Sequence, residues 1–182
     1  MKKLDIYLQN VRISKAKQFI KKGSSVLDIG TDDGIMFEKL SHLIDKGVGI
    51  EPTVETVINK GKYSILPGYF PEAMGSSTEQ FDAITMLAVL EHVPTEQQKT
   101  LGANCAKYLK KGGKVIITVP SPQVDLILDV LGKLKLIDGM QLHEHYGFKP
   151  SDTETIFADG FKLHTKKTFQ LGLNNLFVFE KI

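Results

Sequence analysis

The stretch Val26-Leu27-Asp28-Ile29-Gly30-Thr31-Asp32-Asp33-Gly34 limits the fold more than any other part of the chain. Two apolar residues, an acid and another apolar residue run into a turn bracketed by glycines. The helix-like run Ile35-Met36-Phe37-Glu38-Lys39-Leu40 follows. The pattern predicts a buried strand, a tight loop and a helix start, the place where parallel α/β sheets bind nucleotides. A dinucleotide phosphate loop needs bare backbone amides and little nearby negative charge, because its ligand is a polyanion. Asp28, Asp32 and Asp33 would repel a pyrophosphate and suit a ligand with a cationic amine and a sulfonium. Gly30 lets a ligand approach the backbone, since no Cβ intrudes, and Gly34 lets the next helix pack against the strand. Taken alone, the segment also describes a βα turn with no ligand.

Strands and helices alternate beyond this loop, the pattern of a parallel sheet with helices on both faces. Residues 4–22 are predicted to be an N-terminal helix, with Leu4, Leu8, Val11, Ala16, Phe19 and Ile20 near one face and Gly23 ending it. Strands are expected at 26–29, 47–50, 63–66, 81–87 and 114–119, with helices over 35–45, over 53–60 and from Pro94 to about Leu109. The run 81–87 is nearly all apolar, as a strand covered on both faces should be. The pattern then changes. Residues 123–137 read as an amphipathic helix, followed by a loop with His143, Glu144, His145 and Tyr146. A helix over 151–158, with Ser151 as its cap, leads into strands at 161–168 and 174–180. Too few residues separate those two strands for a crossover helix, so they must be antiparallel neighbours. No repeat, low-complexity tract or linker interrupts the chain, and residues 1–182 read as one domain.

A chain of 182 residues is long enough to bury a core. Its net charge of +2 is too small to argue for nucleic acid. The pairs Lys2-Lys3, Lys21-Lys22, Lys110-Lys111 and Lys166-Lys167 read as solvated faces. The single cysteine, Cys105, sits in a helical pattern, reads as buried, and excludes a disulfide within the chain. The first residues lack the apolar stretch of a signal peptide, and no apolar run reaches the ~18 residues of a membrane span. A soluble, cytoplasmic protein is the expectation.

Glu51 falls at the end of the second predicted strand. In a doubly wound sheet its carboxylate reaches the neighbouring strand tip, where it can accept both hydroxyls of a ribose. Nicotinamide dehydrogenases share this device, and a solvent-exposed acid before Pro52 is the plainer alternative.

Four segments in order carry a resemblance: VLDIGTDDG, GIEP, FDAITMLAVLEHV and LKKGGKVIITVPSP. They resemble the glycine-rich loop, the ribose-binding acid, and the fourth- and fifth-strand motifs of Rossmann-like, class I S-adenosylmethionine (SAM)-dependent methyltransferases. The likeness covers about residues 10–182 and is nearest the type 11, ubiquinone-pathway-like group. The terminal antiparallel strand pair fits this family and does not fit a dehydrogenase. The resemblance implies a three-layer α/β/α sandwich with a seven-stranded, mostly parallel sheet, its last strand antiparallel between two neighbours. It implies methyl transfer from SAM, leaving S-adenosylhomocysteine, to a small-molecule, lipid or glycan acceptor. It also implies that residues 123–158 are an insertion on the substrate side.

The family's roles fall on particular residues. Asp28 and Gly30 would frame the loop around the methionine moiety, with Thr31, Asp32 and Gly34 in the same loop. Glu51 would hold the ribose, Pro52 would lie on one adenine face, and Phe70 would sit near the adenine. Met86 and Leu87 would approach the sulfonium. Two departures stand out: Asp32 replaces a usual glycine, adding a side chain and negative charge, and Tyr69 replaces an acid that often contacts the adenine amino group. Some relatives hold a divalent metal with a Glu-x-x-Glu-His cluster. Ala88 stands where its first glutamate should be, and Glu91 with His92 alone is too few ligands, so no metal is expected.

His92, His143 and His145 are the candidates for a general base, since imidazole titrates near neutral pH. Each also has a structural reading: His92 shaping the pocket mouth, His143 and His145 bonding loop backbone. Alternation in an extended segment would put His143 and His145 on one face, which also suits a metal. The helix at 123–137 is apolar on more than one side, which fits a core helix, a homodimer interface, a lid over an apolar acceptor or a lipid-touching surface. The departures at Asp32 and Tyr69 leave a second function open: a methyltransferase fold with weak or no SAM binding that serves as a binding or regulatory module. An RNA acceptor lacks the strong basic stripe it would need.

Overall fold

The most apolar segments of the chain form the middle of a single sheet. The computed structural model describes residues 3–121 and 148–182. Among them run α1 (Lys3–Lys17), β1 (Ser24–Ile29), α2 (Ile35–Leu40), β2 (Ile44–Glu51), β3 (Ile58–Asn59), β4 (Tyr63–Pro67), β5 (Phe81–Leu87), α3 (Thr95–Tyr108), β6 (Leu109–Pro120), α4 (Asp152–Ile156), β7 (Phe161–Phe169) and β8 (Asn174–Lys181). The strands form one sheet in the order β3-β4-β2-β1-β5-β6-β8-β7. The β1, β2, β4, β5 and β6 pairings are parallel, and β8 lies antiparallel between β6 and β7. Reversal of connection direction on either side of β1 leaves a crevice at its C-terminal tip, the usual ligand position in such sheets.

Alternation along β1 sorts its side chains between two cores. Val26 joins Ile13 and Ala16 of α1 and Met36, Phe37 and Leu40 of α2 on one face. Leu27 and Ile29 face the other side, against Leu101, Cys105 and Tyr108 of α3 and the aromatic cluster of Phe157, Phe177 and Phe179. The result is the expected three-layer α/β/α sandwich.

Several boundaries differ from expectation. No helix forms over 53–60. Ile58 and Asn59 pair antiparallel with Ile65 and Ser64 of β4, and Gly61, at φ +71°, turns the chain between them. The segment holds Thr53, Val54, Thr56, Val57 and Ile58, whose β-branched side chains favour a strand over a helix. This small strand raises the count from seven to eight. The helix expected over 35–45 stops at Leu40, because Ile44 is drawn into β2 opposite Ser24 and is 1% exposed. The helix expected over 4–22 ends at Lys17, after which Phe19 and Ile20 bond back to Ala16 and Lys17 in a turn. In α4 the Ser151 side chain makes no cap bond; the Lys149 amide instead donates to Asp152 Oδ2. The helix expected at 123–137, together with His143 and His145, lies outside the described residues.

Candidate active site

The tip of β1 is shaped by contacts that only small residues permit. Gly30 has φ +72°, and a Cβ there would lie 2.5 Å from Val89 Cγ2, so the loop after β1 presses directly on the loop after β5. The Gly30 and Thr31 amides both donate to the Ile50 carbonyl, at 2.9 and 3.2 Å, joining the tips of β1 and β2. The Thr31 side chain turns inward onto Gly49, whose Cβ position is 2.5 Å from Thr31 Cγ2, and Thr31 is 4% exposed. Gly34, at φ +82°, packs on the Tyr63 ring, which closes the start of α2 against β4. Asp33 Oδ1 accepts from the Ile35 amide at 3.0 Å and so caps α2 locally.

Glu51 connects this loop to the one after β2. Its Oε2 accepts from the Asp32 amide at 3.0 Å, and its Oε1 accepts from the Thr53 amide at 3.0 Å and the Thr53 hydroxyl at 2.7 Å. A carboxylate offers about four acceptor positions. One therefore remains open, and rotation of the Thr53 hydroxyl frees another. Asp32 takes the left-handed conformation, φ +52°, at the position where a glycine is usual in the family it resembles. Its exposed side chain leaves the loop's backbone path intact.

Several carboxylates gather at this end of the sheet. Asp28 is buried and accepts a 2.5 Å hydrogen bond from Thr85 Oγ1 on β5. Burial pushes its pKa up to about 6, against the opposing hydrogen bond of Thr85, with the Glu51 charge adding to the rise. The Asp32 carboxyl is also raised, first by burial and then by Asp33 and Glu51.

A cavity of about 590 Å³ opens beside these residues. Of the residues singled out from the sequence, Gly30, Glu51, Pro52, Tyr69, Phe70, Met86 and His92 line it. Asp28, Thr31, Asp32 and Gly34 do not line it. Met86 forms part of the floor, whereas Leu87 points to the opposite face and packs with the α1–α2 core. Ala88 follows at φ +62°, and the chain then turns through the short 3-10 helix Leu90–His92 that sets His92 at the wall. Sequence reasoning missed the far wall, made by Gln97, Thr100, Leu101 and Asn104 of α3. Their spacing is that of one helical face, a signal present in the sequence but indistinguishable from an ordinary solvent face. Glu51 and Glu72 line the cavity, and no lysine or arginine does so among the described residues.

A family model described as a methyltransferase domain matches residues 7–154. The chain belongs to that family. Methyltransferase relatives named for ubiquinone biosynthesis O-methylation include one from Coxiella burnetii, 32% identical over 56% of this chain and 46% of the relative. Another, from Nitrosococcus oceani, is 28% identical over 73% of this chain and 61% of the relative. The chain thus spans about half to three fifths of the length of these relatives. A SAM-dependent methyltransferase from Archaeoglobus fulgidus shares the fold, with a TM-score of 0.73 at 17% identity over 96% of this chain and 94% of that one. Among the described residues no three His, Cys, Asp or Glu side chains group as a metal site. No described helix is long and apolar enough to cross a membrane.

Proposed function

We propose that this methyltransferase-family chain transfers a methyl group from SAM to a hydroxyl of a small-molecule acceptor. The observation that carries the reading is the cavity at the joined tips of β1 and β2, walled by Glu51 and Glu72 and by no described cationic side chain. A dinucleotide would meet carboxylates where its pyrophosphate needs donors. A ligand with a ribose and two positive centres meets acceptors instead. The residues fit SAM by shape as well: Gly30 and Val89, in mutual contact, both line the cavity, whose volume lies in the range of small-molecule sites.

In this reading Glu51 accepts the ribose hydroxyls, and Pro52 and Phe70 flank the adenine. Asp28, beneath the Gly30–Thr31 turn, supplies negative potential for the amine. SAM supplies a methyl carbon already activated by its sulfonium, so the protein's part is chiefly alignment and exclusion of water. Met86 and Val89 give that reaction an apolar floor. His92 lines the same cavity, and in this reading it takes the acceptor's proton. The relatives' names favour a small hydroxyl-bearing acceptor over a lipid or glycan. The same proposal treats residues 1–182 as one domain, with 123–158 on the acceptor side, working in the cytoplasm. Of the two departures that favour a regulatory module without SAM binding, Asp32 and Tyr69, the first weighs less, because the Asp32 backbone keeps the glycine-like path.

Calorimetry with SAM and S-adenosylhomocysteine tests the reading. Both should bind, and Glu51→Ala should weaken binding by about 1–3 kcal/mol, the value of lost charged hydrogen bonds. Absence of heat with either ligand at millimolar concentration would overturn it.

A further inference from the structure

The opposite end of the sheet carries a second hollow with the reverse sign of charge. It has a volume of about 320 Å³ and lies where β1, β5 and β6 begin, roughly 20 Å along β1 from Gly30. Lys21, Lys22, Lys110, Lys111 and Lys114 line it, against one carboxylate, Asp82. We propose that this hollow binds a phosphate-bearing anion of about pyrophosphate size, at a site separate from the methyl-transfer cavity.

The argument begins with how the lysines arrive there. The two pairs Lys21-Lys22 and Lys110-Lys111 are far apart in sequence and read singly as solvated faces. The fold brings them to one rim by two different devices. Lys21 and Lys22 sit in the turn between α1 and β1. Lys110 and Lys111 sit in a bulge of β6: the pairing with β5 jumps from Phe81–Leu109 to Ala83–Lys114, and residues 110–113 loop out between. Gly112, at φ +74°, lets the bulge turn, and nothing lies within 4 Å of its Cβ position.

The charges are not balanced internally. Asp82 is already engaged, accepting from the Ser25 amide and hydroxyl at 2.8 Å and from Lys110 Nζ at 2.9 Å. Its carboxyl is held below the usual range by the hydrogen bonds of Lys110 and Ser25, which outweigh its burial. Lys114 lies 3.6 Å from Glu180. Lys21, Lys22 and Lys111 have no carboxylate partner among the described residues. Helix dipoles do not account for them, because that field fades within the last turn. Lys21 and Lys22 lie beyond the end of α1 at Lys17, and Lys111 lies beyond the end of α3 at Tyr108. Three unpaired ammonium groups around one concavity repel one another, and a bound polyanion would remove that repulsion while using their hydrogen-bond donors. In a chain of net charge +2, this concentration at one end is a local feature and not the consequence of a basic protein.

Titration calorimetry with inorganic pyrophosphate on the intact chain tests the site. Pyrophosphate should bind, and Lys21→Gln/Lys111→Gln should weaken it at least tenfold. Lys162→Gln/Lys167→Gln on β7, which removes equal charge, should leave it unchanged. S-adenosylhomocysteine affinity should not move in either variant, so this proposal and the methyl-transfer reading fail separately. Should the first variant melt early, pyrophosphate should still protect Lys21, Lys22 and Lys111 of the unaltered chain from acetylation. No heat with millimolar pyrophosphate, equal weakening by the β7 pair, absent protection, or binding seen only with phosphatidylglycerol vesicles would overturn the site.

Discussion

The substitution Asp28→Asn isolates the physical cause of the most perturbed carboxyl at the proposed SAM site. Burial moves this group from an ordinary 3.8 to about 6 in the folded chain. That displacement corresponds to about 3 kcal/mol favouring its protonated form in the native state. The native state therefore holds the proton more tightly than the unfolded chain. The associated stability is complete below pH 3.8, declines as pH rises to about 6, and is gone above that. The carboxamide of the variant does not titrate and keeps an oxygen able to accept from Thr85 Oγ1. Urea unfolding of both proteins across pH 4 to 7 should show the variant gaining about 2 kcal/mol relative to the parent, with most of the change below about pH 6. Comparing the pair removes the titration of other carboxylates, which is common to both. A difference that stays flat with pH would show that Asp28 is solvated, and the account of the β1 tip as a buried acidic shelf would fail. Bound S-adenosylhomocysteine should shift the window to lower pH, because a cationic amine favours the ionised carboxylate.

Gly30→Ala should cost about 1–3 kcal/mol of stability through overlap with Val89 and should also weaken SAM binding, as read by thermal melting and calorimetry. Gly102→Ala tests sign: helix propensity alone favours alanine by about 1 kcal/mol. A Cβ there would lie 2.4 Å from the Ile156 carbonyl oxygen, so α3 must part from α4 and a net loss of stability is expected. Cys105 is fully buried and its thiol is pushed far up by desolvation. Iodoacetamide should leave it unmodified in the native chain and alkylate it in urea; rapid native labelling would place it outside the core.

The sheet was legible because its central strands are short apolar runs bounded by turn residues, too short for a buried helix. Glu51 was legible for a related reason: a strand end followed by proline fixes where its carboxylate must sit. The failures share a different cause. In β5 both faces are apolar, so nothing in the sequence says that Met86 faces the cavity while Leu87 faces α1 and α2. Segment 53–60 has polar and apolar residues that satisfy a helical period, but its β-branched content and the turn at Gly61 decide for a strand. The grip of Glu51 on the Asp32 and Thr53 amides depends on two loops meeting, which no local pattern encodes.

Charge placement shows the same limit from the other side. A net charge of +2 describes a nearly neutral chain, yet the fold divides it into an acidic and a basic end. Asp28, Asp32, Glu51 and Glu72 gather at the C-terminal tips of the strands, and five lysines gather where β1, β5 and β6 begin. Parallel strands make this possible, because every strand delivers its last residue to one side and its first to the other. Each end then selects ligands of opposite sign, since at close range a single misplaced unit charge outweighs an ordinary hydrogen bond. The lysine-free cavity therefore argues for a cationic nucleoside more strongly than the glycine-rich loop does. The loop's shape is shared with dinucleotide sites, whereas the sign of the charge around it is not.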